Sequence, residues 1–214
     1  MKLRALGSVA SLVLTFVVLA PEAASALDRF PIVVPAGARA SFDSGSFTQV
    51  RQGGVHHAVD ISVMREGRAL EGPEVVAPVA GRVLREWQYG RDRFPGVTRD
   101  VPSARGGWYV WMRGVDGRFY YFAHLMRPSP LTPGQEVRAG DHIGFVGRSG
   151  NVQGRPHLHF AIRTTRGVVD PYPELRAVVA SAQEPVVRSA SVASVIAAAV
   201  PRPSSNANGR RRDD

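Results

Sequence analysis

The chain contains no cysteine. Disulfide scaffolds, cysteine-ligated zinc fingers, thiol catalysis and a lipid anchor on cysteine are therefore excluded together. Lysine is nearly absent too: Lys2 is one of the 27 basic residues, and the others are arginines spread along the chain. No apolar run reaches the ~20 residues that a membrane-spanning helix needs. The two nearest are Ala5 to Ala20, closed by Pro21 and Glu22, and SVASVIAAAV at 191–200, which serines interrupt. There is no HExxH motif, so a glutamate base of the thermolysin kind has no candidate. No nucleic-acid motif is found, and no nucleic-acid partner is expected.

What is present points to an exported β protein. In 214 residues, 22 glycines and 16 prolines imply many turns and argue against a helical bundle or coiled coil, while 44% hydrophobic residues can fill a core. The formal charge of +9 favours polyanions, among them acidic cell-wall polymers. Lys2 and Arg4 precede the Ala5–Ala20 run, and Ala24-Ser25-Ala26 supplies the small residues of a cleavage site. Residues 1–26 thus read as a signal peptide cut after Ala26, which leaves no stable membrane span and places the protein in the periplasm, cell envelope or medium.

Residues 27–49 form a turn-rich lead-in, 50–178 a domain, and 179–214 a low-complexity tail expected to be flexible. Within the domain, short apolar runs separated by Gly, Pro and Asp predict strands at 58–63, 74–77, 81–86, 108–113, 118–123, 142–146 and 158–163. Asp116-Gly117 between two such runs is a hairpin signal. The predicted fold is all-β: an antiparallel sheet or sandwich forming an open substrate groove. Residues 87–107 are too long for an ordinary hairpin connection and are expected to form a charged loop.

Six histidines carry most of the chemistry: His56, His57, His124, His142, His157 and His159. In RPHLHFAI, strand alternation puts His157 and His159 on one face and Leu158, Phe160 and Ile162 on the other. Asp60 alternates likewise with Val59 and Ile61, and His56 lies just ahead of that strand. Two imidazoles and one carboxylate suit Zn²⁺ and leave its fourth tetrahedral position open, the pattern of catalytic rather than structural zinc. Histidines left over from such a set can accept, orient or donate a proton around a reacting water.

The segments HHAVDISV, EVVAPVAGRV, YYFAHL, VRAGDHIGFVGRSGN and GRPHLHFAI stand in the order and approximate spacing of the lysostaphin/LytM-type zinc metallopeptidases. From about residue 50 to 176 the chain resembles that family. The resemblance implies one Zn²⁺ per chain on His56, Asp60 and His159, with His124 and His157 as the catalytic pair; which of the two is the general base stays open. It implies a zinc-dependent endopeptidase hydrolysing peptide bonds in peptidoglycan stems or cross-links. His57 and His142 match no functional position. Ala58 stands where the family has glycine, and Ser149 where it has threonine. Tyr120, Phe122 and Ser149 are expected to wall the groove. Two other functions fit the resemblance: a non-catalytic activator of other wall hydrolases, which is expected to lack one or more of the five residues, and a secreted protease acting on non-wall proteins.

Overall fold

The computed structural model describes residues 27–183 apart from Gln52 and Gly90. The expected signal peptide and nearly all of the expected tail lie outside the described residues. Elements follow in chain order as β1 (Arg39–Ser41), β2 (Val50–Arg51), β3 (Gly54–Val55), β4 (Val59–Arg65), β5 (Arg68–Ala69), β6 (Glu74–Val76), β7 (Gly81–Val83) and β8 (Glu86–Tyr89). Then come β9 (Asp92–Pro95), β10 (Trp108–Gly114), β11 (Phe119–Leu125), β12 (Glu136–Val137), β13 (His142–Phe145), β14 (Leu158–Thr164), β15 (Gly167–Val169) and α1 (Tyr172–Gln183). None of the described helical structure is long and apolar enough to cross a membrane.

The main sheet runs β1-β4-β14-β11-β10-β7-β12, with β5 added to β4 and β15 to β14; β13-β6, β2-β3 and β8-β9 form separate pairs. Every pairing is antiparallel, as the short alternating runs predict. One face of the sheet is core. Val59, Ile61, Val63, Met112, Tyr120, Phe122, Leu158, Phe160 and Ile162 are all wholly buried on it. Burying a side chain of this size contributes ~1.5–3 kcal/mol, so the register that keeps these residues inside is strongly specified. The opposite face is left for chemistry.

The β10–β11 turn is the predicted one, with Gly117 at φ 79°. Beside it, Arg118 holds Asp116 (Nε–Oδ2 2.7 Å) and reaches Glu174 of α1 with both terminal nitrogens (2.6 and 3.0 Å). The Tyr120 hydroxyl donates to Asp116 Oδ2 at 2.6 Å. Leu175 is fully buried under the same helix.

Three expectations need correction. The 87–107 segment is not all loop, because β8 and β9 pair from Glu86↔Pro95 to Tyr89↔Asp92. The helix α1 runs past 178, where the tail was expected to begin. It opens with the Asp170 side chain accepting the Tyr172 N–H and with Pro173 in the first turn, where a missing N–H costs nothing. Tyr120 and Phe122 are core residues, not groove wall: Tyr120↔Ile162 and Phe122↔Phe160 pairing turns them inward, and Tyr121 takes the groove position instead.

Candidate metal centre and active site

Strands β4 and β14 pair with His159 opposite Asp60, and β11 and β14 pair with Ala123 opposite His159. Both side chains leave the core face because their neighbours Val59, Ile61, Leu158 and Phe160 enter it. His56 is four residues before Asp60. In extended chain that is ~13 Å, too far to share a ligand. His57 closes the distance: its φ of 52° kinks the backbone ahead of β4, and its N–H donates to the Phe47 carbonyl at 2.9 Å. His56 Nε2 then stands 3.1 Å from Asp60 Oδ1.

The three donors close a small triangle. His56 Nε2 to His159 Nδ1 is 2.9 Å, and His159 Nδ1 to Asp60 Oδ1 is 3.2 Å. Tetrahedral ligands at ~2.0–2.1 Å from Zn²⁺ stand about 3.3 Å from one another, so this donor set fits that ion. The outer contacts orient the inner atoms. His56 Nδ1 donates to the Ser46 carbonyl at 2.8 Å, which leaves the Nε2 lone pair facing the centre. Arg51 Nη2 donates to Asp60 Oδ2 at 2.7 Å and leaves Oδ1 for the site.

His124 and His157 complete the group. By strand alternation His124 would point into the core beside Phe122. It does not, because its φ is 61° and β11 bulges there: Trp108 pairs Leu125 while Val110 pairs Phe122. The kinked His124 N–H donates to the Gly106 carbonyl at 2.8 Å and Nδ1 donates to the Ser149 carbonyl at 2.8 Å. Its Nε2 therefore carries the free lone pair. His157 is arranged alike: Nδ1 donates to the Arg155 carbonyl at 3.0 Å, and Nε2 is buried, lacks a hydrogen-bond partner and lies 3.6 Å from Asp60 Oδ1. A buried acceptor left open toward the donor triangle is what a reacting water would satisfy. The two rings are 5.0 Å apart, and His124 is 5.6 Å from His159.

Burial alone would raise the Asp60 pKa. The close contacts with His159 and His56 and the neighbouring His157 outweigh it and hold the carboxyl well below the usual carboxylate range. Burial pushes His124 down to about 4, with His159 adding to the effect and the Ser149 carbonyl opposing it. Burial also lowers His159, against the pull of Asp60. These imidazoles are thus neutral near pH 7, as ligands and proton acceptors must be.

All five predicted site residues meet at one place. Ser149 does not wall the groove: its hydroxyl donates to the Leu125 carbonyl at 2.6 Å and accepts from the Trp108 N–H at 2.8 Å, which secures the carbonyl that orients His124. His142 pairs with Glu74 away from the site, whereas His57 lines the groove beside Phe47. A groove of about 790 Å³ opens over the centre. Arg51, Arg105, Tyr109, Trp111 and Tyr121 line it and were missed in the sequence; for Tyr121 and Trp111 the signal was the parity of their strands against the buried Phe122 and Met112.

The stretch that carries these residues is similar to known proteins. The chain is 39% identical to the L-Ala–D-Glu endopeptidase of Bacillus subtilis (strain 168) over 121 residues, 51% of this chain and 35% of the relative. It is 36% identical to the murein hydrolase activator EnvC of Escherichia coli (strain K12) over 108 residues, 50% of this chain and 22% of the relative. It therefore spans about a third and about a fifth of these curated relatives. A solved structure from Ruminococcus gnavus, ascribed to a glycyl-glycine endopeptidase LytM, superposes with a TM-score of 0.55 at 26% identity, covering 72% of this chain and 61% of that one. The sequence model of peptidase family M23 matches residues 54–171, more than half of the chain, and the protein belongs to that family.

Proposed function

We propose that the protein is an exported, zinc-dependent endopeptidase that hydrolyses peptide bonds in peptidoglycan stems or cross-links. The observation that carries this reading is the meeting of His56, Asp60 and His159 in one donor triangle with two open histidine acceptors beside it. Zn²⁺ bound there would polarise the scissile carbonyl and acidify water. The rest of the chemistry belongs to the chain. Asp60 and the two imidazoles hold the site's charge, and Ser46 and Arg51 keep their donor atoms aimed. An extended peptide lies in the groove over Tyr121 and Trp111. His124 Nε2 or His157 Nε2 takes a proton from the attacking water as the new C–O bond forms. The protonated imidazole then returns that proton to the departing amine as the C–N bond breaks, while Nε2 of the second imidazole accepts the water's remaining O–H and holds it in line for attack.

The similarity to a hydrolase activator raises the non-catalytic reading. Against it stands the completeness of the site, in which no ligand and neither histidine is replaced. Digestion of purified peptidoglycan by the zinc-loaded chain, read by chromatography of the muropeptides, tests the choice. New peptide termini are expected. Zinc binding without any cut bond would support the activator.

A further inference from the structure

Before any proton moves, the two open imidazoles beside the donor triangle can only accept. Nδ1 of His124 and of His157 each donates to a backbone carbonyl, so both Nε2 atoms carry lone pairs. A scissile carbonyl gathers negative charge on its oxygen as water adds, and that oxygen is best met by a donor already in place. Arg51 is committed to Asp60 at 2.7 Å. The Arg105 guanidinium lies at the β2–β3 hairpin, 3.6–3.8 Å from where a Cβ on Gly53 would stand.

Tyr121 offers an open donor on the groove side of β11. Its hydroxyl has no hydrogen-bond partner among the described residues. The ring itself is held on three sides: Trp111 stacks on it at 4.3 Å, Tyr109 meets it at 5.4 Å, and the His159 ring stands nearly perpendicular at 5.8 Å. A side chain fixed in this way loses little freedom when it bonds a ligand.

The phenol oxygen also accounts for Gly106. A Cβ added there would stand 2.1 Å from the Tyr121 hydroxyl, while the next nearest atoms, Ser103 Oγ and Tyr109 Cδ1, are 3.3 Å away. Gly106 has no positive φ, so its missing side chain makes room for that one oxygen and serves no backbone need. The same glycine accepts the His124 N–H on its carbonyl at 2.8 Å, and its own N–H donates to Ser103 Oγ at 2.9 Å. One braced turn therefore carries both the hydroxyl's seat and the proton acceptor. A phenylalanine would fill the stack equally well and would need no glycine beneath it.

We infer that Tyr121 is a further catalytic residue, its hydroxyl donating a hydrogen bond to the scissile carbonyl oxygen as that oxygen becomes anionic. The phenol keeps its proton throughout, and the proton taken from water still travels through an imidazole to the departing amine. The inference deepens the endopeptidase reading and rests on it for the reaction, but half of its test needs no turnover.

Y121F removes one oxygen and leaves the stack. In the zinc-loaded full-length chain it is expected to lower kcat on soluble muropeptides by about 10²-fold, with KM and zinc content nearly unchanged. Inorganic phosphate, a tetrahedral oxyanion, is the probe that does not turn over. Its affinity, read by titration calorimetry, is expected to fall about tenfold in Y121F. G106A displaces the hydroxyl without deleting it and is expected to reproduce both losses. Y121F/G106A is expected to be no worse than Y121F, because the new methyl then meets nothing nearer than 3.3 Å. Phosphate that fails to bind the native chain, or binds it and Y121F equally, overturns the inference. So does a rise in KM with kcat retained, or a double variant whose losses add. Weaker phosphate binding in Y121F with no muropeptide cut by the native chain would instead count against the endopeptidase reading alone.

Discussion

The roles proposed for the side chains at the centre are separable, so their substitutions should separate in experiment. His56→Ala or Asp60→Ala removes a proposed zinc ligand, and both bound zinc and hydrolysis are expected to be lost, with metal content measured on the purified chain. His124→Ala removes no ligand. It is expected to keep near-stoichiometric zinc while activity falls by roughly 10²-fold or more, the usual worth of a positioned proton carrier. Arg51→Gln tests the orientation of Asp60: zinc affinity is expected to weaken by about 10- to 100-fold, measured by competition with a chelator. The charge state of His124 is a further check. Burial opposes its protonated form, so its ring is expected to titrate near 4 by NMR, well below the ordinary 6.5, and a bound cation shifts it the same way. A midpoint at or above 6 would contradict that burial.

At the scale of elements, the ion pairs beneath α1 fasten the helix to the β10–β11 hairpin. Burial would raise the Asp116 pKa, but hydrogen bonds from Tyr120 and Arg118 more than offset it and hold it below its ordinary value. A depressed carboxylate stabilises the fold above its unfolded pKa, and that stability drains away as pH falls through the lower folded value. Asp116→Asn is therefore expected to cost about 2 kcal/mol near neutral pH and to flatten the acid limb of thermal stability below about pH 4, measured by calorimetry. Elements also show where local pattern reading ends. The alternation of β4 and β14 is visible in the chain because each inward residue is aliphatic or aromatic. The helix α1 was not, since a Pro-rich start and an Ala/Ser-rich end resemble a linker until Glu174 and Leu175 find their partners. The β8–β9 hairpin escaped for the same reason: its strands are charged and exposed, and only pairing and the Trp87–Trp111 stack define them.

For the whole molecule, the number and kind of the reactive groups were set by the amino-acid order alone. Which residues enter the core, and that His157, His159 and Asp60 face away from it, follow from a period of two and the cost of exposing apolar side chains. The absence of cysteine already limited a metal site to imidazole and carboxylate. Tertiary structure decided what a local pattern cannot carry. His124 faces the groove only because long-range pairing imposes a bulge and a positive φ at a position that alternation assigns to the core. His56 reaches His159, 103 residues away, only because the kink at His57 and the β4–β14 register bring them to 2.9 Å. Arg51, Arg105 and Arg163 likewise reach the groove from three separate segments. Alternation acts between neighbours along a strand, whereas register and backbone kinks are set by the free energy of the assembled sheet.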